Sequence, residues 1–328
     1  MNQVIAIEDL PTPQEGKSGW PWIEASSPLA AKMPDGSPWP KISIVTPSFN
    51  QAQYIEETIR SVLLQNYPNL EYIIIDGGST DGSVEIIKKY EPWLTYWVSE
   101  PDRGQSHAIN KGFARSTGEI MAWINSDDYY APGSFEAVAH TFTQNMTQWV
   151  AGKGYLLNLD GTVDRFNGQE TVRMDQWLFT NQLVQPNVFW RRSIWSRVAG
   201  VDDGMQYSFD YDLWMKFTKY QPYPFKIDEC LAFFRVHKDS KTFRGRKAFE
   251  KEDLIIFHRY RKNYVLMDQF RAWKLRQEKI ASRHLSSHEQ SESPSAKIFL
   301  GFINAPWLIF SHTFCYKVKQ ILNQLKKI

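Results

Sequence analysis

Two adjacent carboxylates end one of the most apolar stretches of the sequence. Residues 119–125 read EIMAWIN and are followed by Ser126, Asp127 and Asp128. Like charges this close repel each other, and each would lose hydration there unless a cation or strong hydrogen-bond donors met it. A bound divalent metal would supply that partner, so we expect a cation near this pair.

Asp76 follows a second apolar run, YIIID, in the same way. In open α/β sheets the ligand crevice lies outside the carboxyl ends of the strands. If both runs are strands of one sheet, Asp76, Asp127 and Asp128 should face one cleft. A single aspartate after a strand is as readily an N-cap of the next helix, but three in one cleft favour a binding site.

The apolar run nearest the N-terminus, residues 41–47, is not followed by a glycine-rich turn that could hold phosphate. It ends in TPSFN, residues 46–50, where a dinucleotide site would need a glycine-rich turn. The phosphate-binding pattern GxxxxGK[ST] is also absent from the sequence. A diphosphate in a crevice lined with carboxylates would then be held by Mg²⁺ or Mn²⁺, which take one or two carboxylates plus phosphate oxygens.

The segments that carry these acids alternate between strand and helix patterns. Apolar runs predict strands at residues 41–47, 70–76, 93–100 and 119–125, and apolar residues at helical spacing predict helices at residues 51–66, 79–90 and 104–116. Ser79 or Thr80 is the predicted N-cap of the second helix. Strands this apolar need cover on both faces, which predicts an α/β fold with a single open, mostly parallel, Rossmann-like sheet flanked by helices.

Composition indicates an ordinary globular protein. The chain has 328 residues, of which 42% are hydrophobic and 23% charged. Cys230 and Cys315 match no metal or redox spacing, so they are expected to be simple thiols in a reducing compartment. Acids and prolines near Met1 replace the basic end and apolar core of an export signal, so we expect a cytoplasmic protein.

The two ends of the chain differ from the middle. Residues 1–40 are rich in Pro, Gly and Trp without periodicity and predict an irregular arm. Residues 241–328 hold 18 Lys and Arg against 7 Asp and Glu, whereas residues 1–240 hold 20 against 29. This basic part suits an anionic membrane surface at least as well as nucleic acid, or it is a solvated helix pair on an acidic body.

A short apolar run lies within the basic part. Residues 298–310 form 13 apolar-rich positions flanked by lysines, fewer than the roughly 20 that span a bilayer. Trp and Phe beside lysines favour an interfacial helix on the inner face of the membrane, while a dimer-forming or core helix stays open.

Four segments in order carry a resemblance to a known family. They are residues 42–83, residues 99–113, GEIMAWINSDD at 118–128, and SFDYDLW at 208–214. Together they resemble the family 2 glycosyltransferases of GT-A fold. The resemblance covers residues 41–243, with a donor half at 41–130 and an acceptor half at 131–243, and leaves 1–40 as the arm and 244–328 as a helical extension.

The resemblance implies an enzyme that inverts the anomeric carbon, uses a nucleotide-diphosphate-sugar donor and needs a divalent cation. Its products would belong to polysaccharide or glycolipid biosynthesis, with a glycan or lipid-linked acceptor. It places Asp127 near the ribose, Asp128 on the metal and Asp76 on the base. Thr46 and Pro47 would flank the nucleotide pocket, with Asn50 as a further contact.

The sequence departs from the family pattern at two positions, Gly77 and Asn125. Gly77 stands where the family often has the second acid of Asp-Asp-Gly-Ser, so contacts to the base are expected to differ. Asn125 replaces the first acid of Asp-x-Asp and carries no charge, so the metal site would depend more heavily on Asp128.

The segment EPDRGQSHAINKG, residues 100–112, adds two candidate ligands. Arg103 precedes a helix whose N-terminus could face an anion, and it could bind phosphate. The alternative is that Arg103 pairs with Asp102 or Glu100 and only orders the loop. Asn110, on the helix, could face the sugar or the diphosphate.

Single-step inversion needs a base for the acceptor hydroxyl. The resemblance assigns this role to an acid at the start of the helix in YSFDYDLWMKF, and Asp210 is the prediction, with Phe209 in place of the family's Glu. Asp212 is the competitor, with an N-terminal helix role as its alternative.

Other acceptor and leaving-group residues follow from the same resemblance. Gln185 could line the acceptor pocket, with Phe189, Trp190 and Trp195 as an apolar wall. His237 matches a position that faces the metal or the diphosphate, and Lys241 could neutralise the leaving diphosphate.

Two other classes of function stay open. A binding module could hold a nucleotide sugar or glycan without turnover. A metal-dependent phosphotransferase also uses an aspartate after a buried strand, but that chemistry wants a second Asp two residues on, where this chain has Gly78. Nucleic-acid binding is not expected, because only the C-terminal part carries a net positive charge.

Overall fold

The computed structural model describes residues 5–158, 160–166 and 177–264. Contacts divide the chain into two compact units, one of residues 1–172 and 182–254 and the other of residues 173–181 and 255–328. The apolar run at 298–310 lies outside the described residues, so the membrane-surface helix stays a prediction. None of the described helices is both long and apolar enough to cross a membrane.

The strands and helices alternate through the first half of the chain. The strands are β1 (Ile42–Ser48), β2 (Leu70–Asp76), β3 (Tyr96–Ser99), β4 (Ile120–Trp123), β5 (Tyr129–Tyr130), β6 (Trp149–Leu157), β7 (Val163–Phe166), β8 (Val188–Arg191) and β9 (Phe225–Arg235). The helices are α1 (Ile55–Leu63), α2 (Ser83–Tyr90), α3 (Gln105–Arg115), α4 (Ser134–Gln144), α5 (Arg192–Val198), α6 (Phe209–Phe217), α7 (Lys241–Arg244) and α8 (Arg246–Tyr260).

The described strands form one sheet in the order β3-β2-β1-β4-β8-β6-β9-β5, with β7 paired to β6. Strands β3, β2, β1 and β4 run parallel, and Ser48 at the end of β1 pairs with Asp76 at the end of β2. Strand β8 is antiparallel to both β4 and β6. The predicted α/β fold with an open, largely parallel sheet is confirmed, and each antiparallel pair includes at least one strand of the second half.

Close packing of helices on the sheet explains why the parallel strands are apolar throughout. All seven residues of β1 are buried. Helix α3 approaches β1 at Gly112, where a Cβ atom would lie 2.5 Å from Val45 Cγ1. This contact brings the start of α3 to the edge of the sheet where the parallel strands end.

Residues 5–40 contain one short 3-10 helix, Ile7–Asp9, and contact side chains of the body. Trp20 Nε1 donates to the Tyr130 carbonyl at 2.7 Å. Buried Arg60 donates to the carbonyls of Pro11, Pro21 and Trp22 at 2.8–3.0 Å.

The start of α2 differs from the prediction. The N-cap position is Gly82, with φ of 100°, and the predicted N-cap residues Ser79 and Thr80 lie in the preceding loop. Ser79 Oγ instead donates to Asp76, and the Thr80 N–H donates to Asn50 Oδ1. Loop-to-loop hydrogen bonds therefore replace the expected cap.

Candidate active site

A cavity of about 620 Å³ opens at the carboxyl ends of the parallel strands. Its volume falls in the range of ligand pockets, roughly 300–1,000 Å³. The segments that end or follow β1, β2, β3, β4 and β9 supply its wall, with one residue from the turn before α6. The lining residues are Pro47, Ser48, Phe49, Gln51, Gly77, Pro101, Asp102, Gly104, Gln105, Ala108, Asn125, Ser126, Asp127, Gln206, Phe234, Asp239, Ser240, Lys241 and Thr242.

Asp127 and His237 form a carboxylate–imidazole pair at this cavity. Asp127 lines the cavity, and its Oδ2 lies 2.9 Å from His237 Nε2. The His237 ring is 4% exposed and packs on Tyr54, with 4.8 Å between ring centroids. Its Nδ1 atom is buried and has no hydrogen-bond partner among the described residues.

This donor set fits a cation that takes part of its coordination from a ligand. The described part of the chain contains no cluster of three or more His, Cys, Asp or Glu residues placed to hold a metal. Mg²⁺ binds through one or two carboxylates plus substrate phosphates, and imidazole extends such a site to transition metals. Asp127, which lines the cavity, therefore suits a cation that a phosphate ligand completes, and His237 orients the Asp127 carboxylate from behind.

Asp128, the predicted metal ligand, lies elsewhere. Its side chain is buried and does not line the cavity. The Arg235 N–H donates to Oδ1 at 2.9 Å, and Asn125 Nδ2 donates to Oδ2 at 3.2 Å. Burial, and next the charge of Asp127, raise the pKa of Asp128 well above its ordinary value. Asp128 thus supports the turn behind Asp127.

Asn125 has a physical reason to be an amide here. Its Nδ2 donates to Asp128 and to Gln185 Oε1 at 3.3 Å, while its Oδ1 accepts from Gln105 Nε2 at 2.6 Å. An aspartate at this position could not donate, and it would add a third carboxylate beside a buried one. Gln185 is thereby turned to Asn125 and to the Trp123 carbonyl, and it does not line the cavity.

Arg235 supports the turn that carries Asp127 and Asp128. Its Nε donates to the Asp127 carbonyl at 3.0 Å, and one terminal nitrogen lies 2.7 Å from Glu57 Oε2. The guanidinium also lies over the rings of Tyr54 and Tyr129, at 5.0 and 5.5 Å from their centroids. The side chain is therefore held by charge and aromatic contacts at once.

The end of β2 is organised around Asp76. Its carboxylate is fully buried and accepts hydrogen bonds from the Gly78 and Ser79 N–H groups and from the Ser79 and Ser99 hydroxyls. These bonds shape the loop, and the neighbouring Gly77 reaches the cavity in place of Asp76.

Of the three residues predicted to bind substrate at the end of β1, one lines the cavity and two do not. Pro47 lines the cavity. Thr46 is buried, with its hydroxyl 3.0 Å from the Tyr72 hydroxyl. Asn50 is outside the lining and joins the loop after β1 to that after β2 through Ser79 and Thr80.

Arg103 and Asn110 are tied to the segment before α6. Arg103 is exposed and pairs with Asp203 at 2.6 Å, which is neither of the two partners considered above. The Asn110 amide bonds both backbone groups of Val201. Neither residue lines the cavity.

Lys241, the first residue of α7, lines the cavity. Its Nζ donates to the Gln206 carbonyl at 2.8 Å. Burial by the surrounding wall lowers the pKa of Lys241, and the charges of Glu252, Asp102 and Asp127 oppose that effect. Lys241 is an exposed positive charge at a cavity that Asp102, Asp127 and Asp239 also line.

The predicted base, Asp210, is not part of the cavity wall. It is half-buried in the first turn of α6. Asp212 is fully buried, 3.0 Å from Lys216. The turn before α6 is held by Glu252, which accepts the N–H groups of residues 206–208 at 2.7–2.9 Å.

Two of the three residues of the predicted acceptor wall belong to the core. Phe189 and Trp190 are fully buried, and Trp195 stacks on Trp190 with 5.8 Å between ring centroids. None of the three lines the cavity.

Several cavity residues were not anticipated. Phe49 is 60% exposed at the cavity, and Asp102, Gln206 and Asp239 add polar groups. Phe49 is the one with a signal in the sequence, since it directly follows the β1 run; the others depend on loops meeting from distant positions.

A model of one family matches the chain. The family is "Glycosyl transferase family 2", and the match covers residues 43–196. An uncharacterized glycosyltransferase of Mycobacterium tuberculosis is 32% identical over 172 residues, covering 50% of this chain and 63% of its own length. The putative teichuronic acid biosynthesis glycosyltransferase TuaG of Bacillus subtilis is 29% identical over 233 residues, covering 65% of this chain and 85% of its own.

Solved structures share the fold. S. aureus TarS 1-349 in complex with UDP has a TM-score of 0.58 at 16% identity, covering 88% of this chain and 91% of that one. The mannosyltransferase PcManGT of Pyrobaculum calidifontis, in complex with GDP-Man and Mn²⁺, has a TM-score of 0.52 at 17% identity, covering 86% and 85%.

Proposed function

Since the chain belongs to the family 2 glycosyltransferases and has the GT-A fold, we propose that it transfers a sugar from a nucleotide-diphosphate-sugar to an acceptor hydroxyl with inversion. Similarity to a protein named for teichuronic acid biosynthesis supports a growing polysaccharide or lipid-linked glycan as the acceptor. UDP, and GDP-Man with Mn²⁺, in the neighbouring structures support a nucleotide-sugar donor and a divalent cation.

The observation that carries the proposal is that Asp127, held by His237 at 2.9 Å, lines a cavity that Lys241 also lines. A divalent cation held by Asp127 would supply positive charge beside the donor diphosphate. The support for Asp127 in this role is stronger than for Asp128, because the oxygens of Asp128 accept protein hydrogen bonds in a buried place. Lys241 adds a second positive charge for the departing diphosphate.

The nucleoside would extend from the diphosphate along the cavity. Phe49 lines the cavity with an exposed ring, and aromatic rings stack on flat apolar groups such as a base. A cavity of about 620 Å³ is large enough for a ligand of this class.

The chemical step is a single displacement. The acceptor oxygen bonds to the anomeric carbon as the bond from that carbon to the diphosphate oxygen breaks, and the bonding electron pair leaves with the nucleoside diphosphate. The hydroxyl proton passes to the base, for which we propose Asp210. Its support is its place in the first turn of α6, next to the turn that brings Gln206 to the cavity, while buried Asp212 pairs with Lys216.

A panel of UDP- and GDP-sugars, each with Mn²⁺ or Mg²⁺ and with or without EDTA, tests the function. We expect one nucleotide sugar to raise the unfolding temperature and to be hydrolysed, both only with the cation. Asp210→Asn should keep the thermal shift and lose at least about a hundredfold in turnover. Asp228→Asn, which removes an acid that is 93% exposed, should change neither.

Two outcomes would contradict the proposal. Binding without turnover by the wild type, with or without acceptor sugars, would indicate a binding module. No response to any nucleotide sugar would remove the donor site altogether.

A further inference from the structure

An acidic side chain at the cavity has no part in the transfer described above. Asp102 lies between β3 and α3 and lines the cavity beside Gly77. A Cβ atom at Gly77 would lie 3.0 Å from Asp102 Oδ2 and 3.4 Å from Oδ1. The carboxylate of Asp102 therefore fills the space that a side chain at position 77 would take.

The protein uses one oxygen of this carboxylate. Asp102 Oδ1 accepts the Gly104 N–H at 2.7 Å, which holds the turn before α3. Asp102 Oδ2 accepts no hydrogen bond from residues 5–158, 160–166 or 177–264. An ionised carboxylate only accepts hydrogen bonds, so this oxygen is available to a donor group of a ligand.

The strand order sets the distance between Asp102 and the cation pair. Asp102 follows β3 and Asp127 follows β4, and the order β3-β2-β1-β4 puts three steps between them. At about 4.8 Å per step, the two strand ends are about 14 Å apart along the sheet edge. A diphosphate held at Asp127 would leave the nucleoside to extend towards Asp102.

We propose that Asp102 recognises the nucleoside of the donor, its Oδ2 accepting a hydrogen bond from a base N–H or a ribose hydroxyl. The acid comes from the loop after β3 because position 77, at the end of β2, has no side chain. This inference rests on the proposed nucleotide-sugar function and makes Asp102 a specificity-determining residue of that site.

Asp102→Asn tests the proposal with little disturbance of the loop. The amide keeps an oxygen for the Gly104 N–H but turns an NH₂ group towards the ligand. We expect isothermal titration of UDP, GDP, CDP and ADP with Mn²⁺ to show a loss of at least about tenfold for the nucleotide that the wild type prefers. Asp228→Asn, an exposed acid-to-amide change, is the control and should match the wild type.

The pattern of the loss separates the two sources of the hydrogen bond. A contact to the base reduces the discrimination among the four nucleotides. A contact to the ribose weakens all four equally, and the 2′-deoxy form of the preferred nucleotide binds both proteins alike. Both patterns support the proposal. Wild-type affinity of Asp102→Asn for all four nucleotides would overturn it.

Moving the acid gives a second test. Gly77 has no positive φ, so it accepts a side chain once Asp102 is removed. The double variant Gly77→Asp/Asp102→Gly should bind more tightly than Asp102→Asn, whereas a folded double variant that binds as weakly would overturn the proposal. If the wild type binds no nucleoside diphosphate, the proposed function fails; if it binds and Asp102→Asn is unchanged, only this inference fails.

Discussion

Replacing Glu71 by Gln should cost stability and leave ligand binding intact. Glu71 lies at the start of β2, is 3% exposed, and accepts hydrogen bonds from the Ser43 hydroxyl and from the Thr117 N–H and hydroxyl. Lys41 Nζ lies 3.0 Å from Oε1. The residue joins three chain segments at the end of the sheet opposite to the cavity.

The pKa of Glu71 gives the size of the effect. Burial alone would raise it, but the hydrogen bonds from Ser43, Thr117 and Lys41 outweigh burial and lower the pKa from 4.5 to about 2. This shift corresponds to at most about 3 kcal/mol of native-state stability. Because the Lys41 side chain is 38% exposed and solvent screens its charge, we expect about 2 kcal/mol.

The sign of the pH dependence follows from the lowered pKa. The contribution of Glu71 is fully present above about pH 4.5, its unfolded value, and is lost as the pH falls towards 2. Urea unfolding should therefore show Glu71→Gln about 2 kcal/mol less stable than the wild type at pH 7, and the difference should shrink below pH 4.5.

Exposed Glu85 supplies the matched control, Glu85→Gln, which should have wild-type stability at pH 7 and below pH 4.5. Nucleoside diphosphate affinity should be the same in all three proteins. A Glu71→Gln protein as stable as the wild type at pH 7, or a difference that does not vary with pH, would refute the reasoning.

Three further changes have defined outcomes. Burial lowers the pKa of Lys241, so wild-type activity should fall at high pH. Lys241→Arg stays charged and should move this fall to higher pH in a pH–rate profile; an unshifted profile would contradict a role for the Lys241 charge. Gly112→Ala should lower stability in urea by about 1–3 kcal/mol, because its Cβ would lie 2.5 Å from Val45 Cγ1; an unchanged midpoint would contradict this packing. Arg60→Lys loses hydrogen bonds to three carbonyls of the arm, so trypsin should cleave residues 5–40 several times faster, and equal cleavage rates would argue against that anchor.

The sheet could be predicted because its strands are buried on both faces. The runs that became β1, β2 and β4 are continuous apolar stretches, a pattern that a one-sided sheet does not have. Their order in the chain, with helices between them, then gives parallel strands with carboxyl ends at one edge.

The orientation of neighbouring acids could not be predicted in the same way. Asp127 and Asp128 are adjacent, yet one faces the cavity and the other the interior. The choice depends on a turn in which the Asp128 N–H donates to the Asn125 carbonyl, and on Arg235 arriving from β9. Contacts across more than 100 residues leave no local pattern in the sequence.

The residues that support the site were missed for the same reason. Glu252 lies in what the sequence presents as the C-terminal extension, yet it holds the turn before α6. Asp102 reads as part of a charged loop until its carboxylate is seen against Gly77. The missing acid at Gly77 was visible in the sequence, but the position of Asp102 beside it was not.

The most direct test of the proposed cation site at Asp127, with His237 as its support, is the coupling between Mn²⁺ and the nucleoside diphosphate. Mn²⁺ affinity would be measured by calorimetry with and without UDP or GDP. We predict that one of the nucleotides tightens Mn²⁺ binding at least about tenfold, and reciprocally, and that Asp127→Asn and His237→Gln each abolish this coupling. Equal Mn²⁺ affinity with and without nucleotide, or coupling that survives both substitutions, would contradict the assignment.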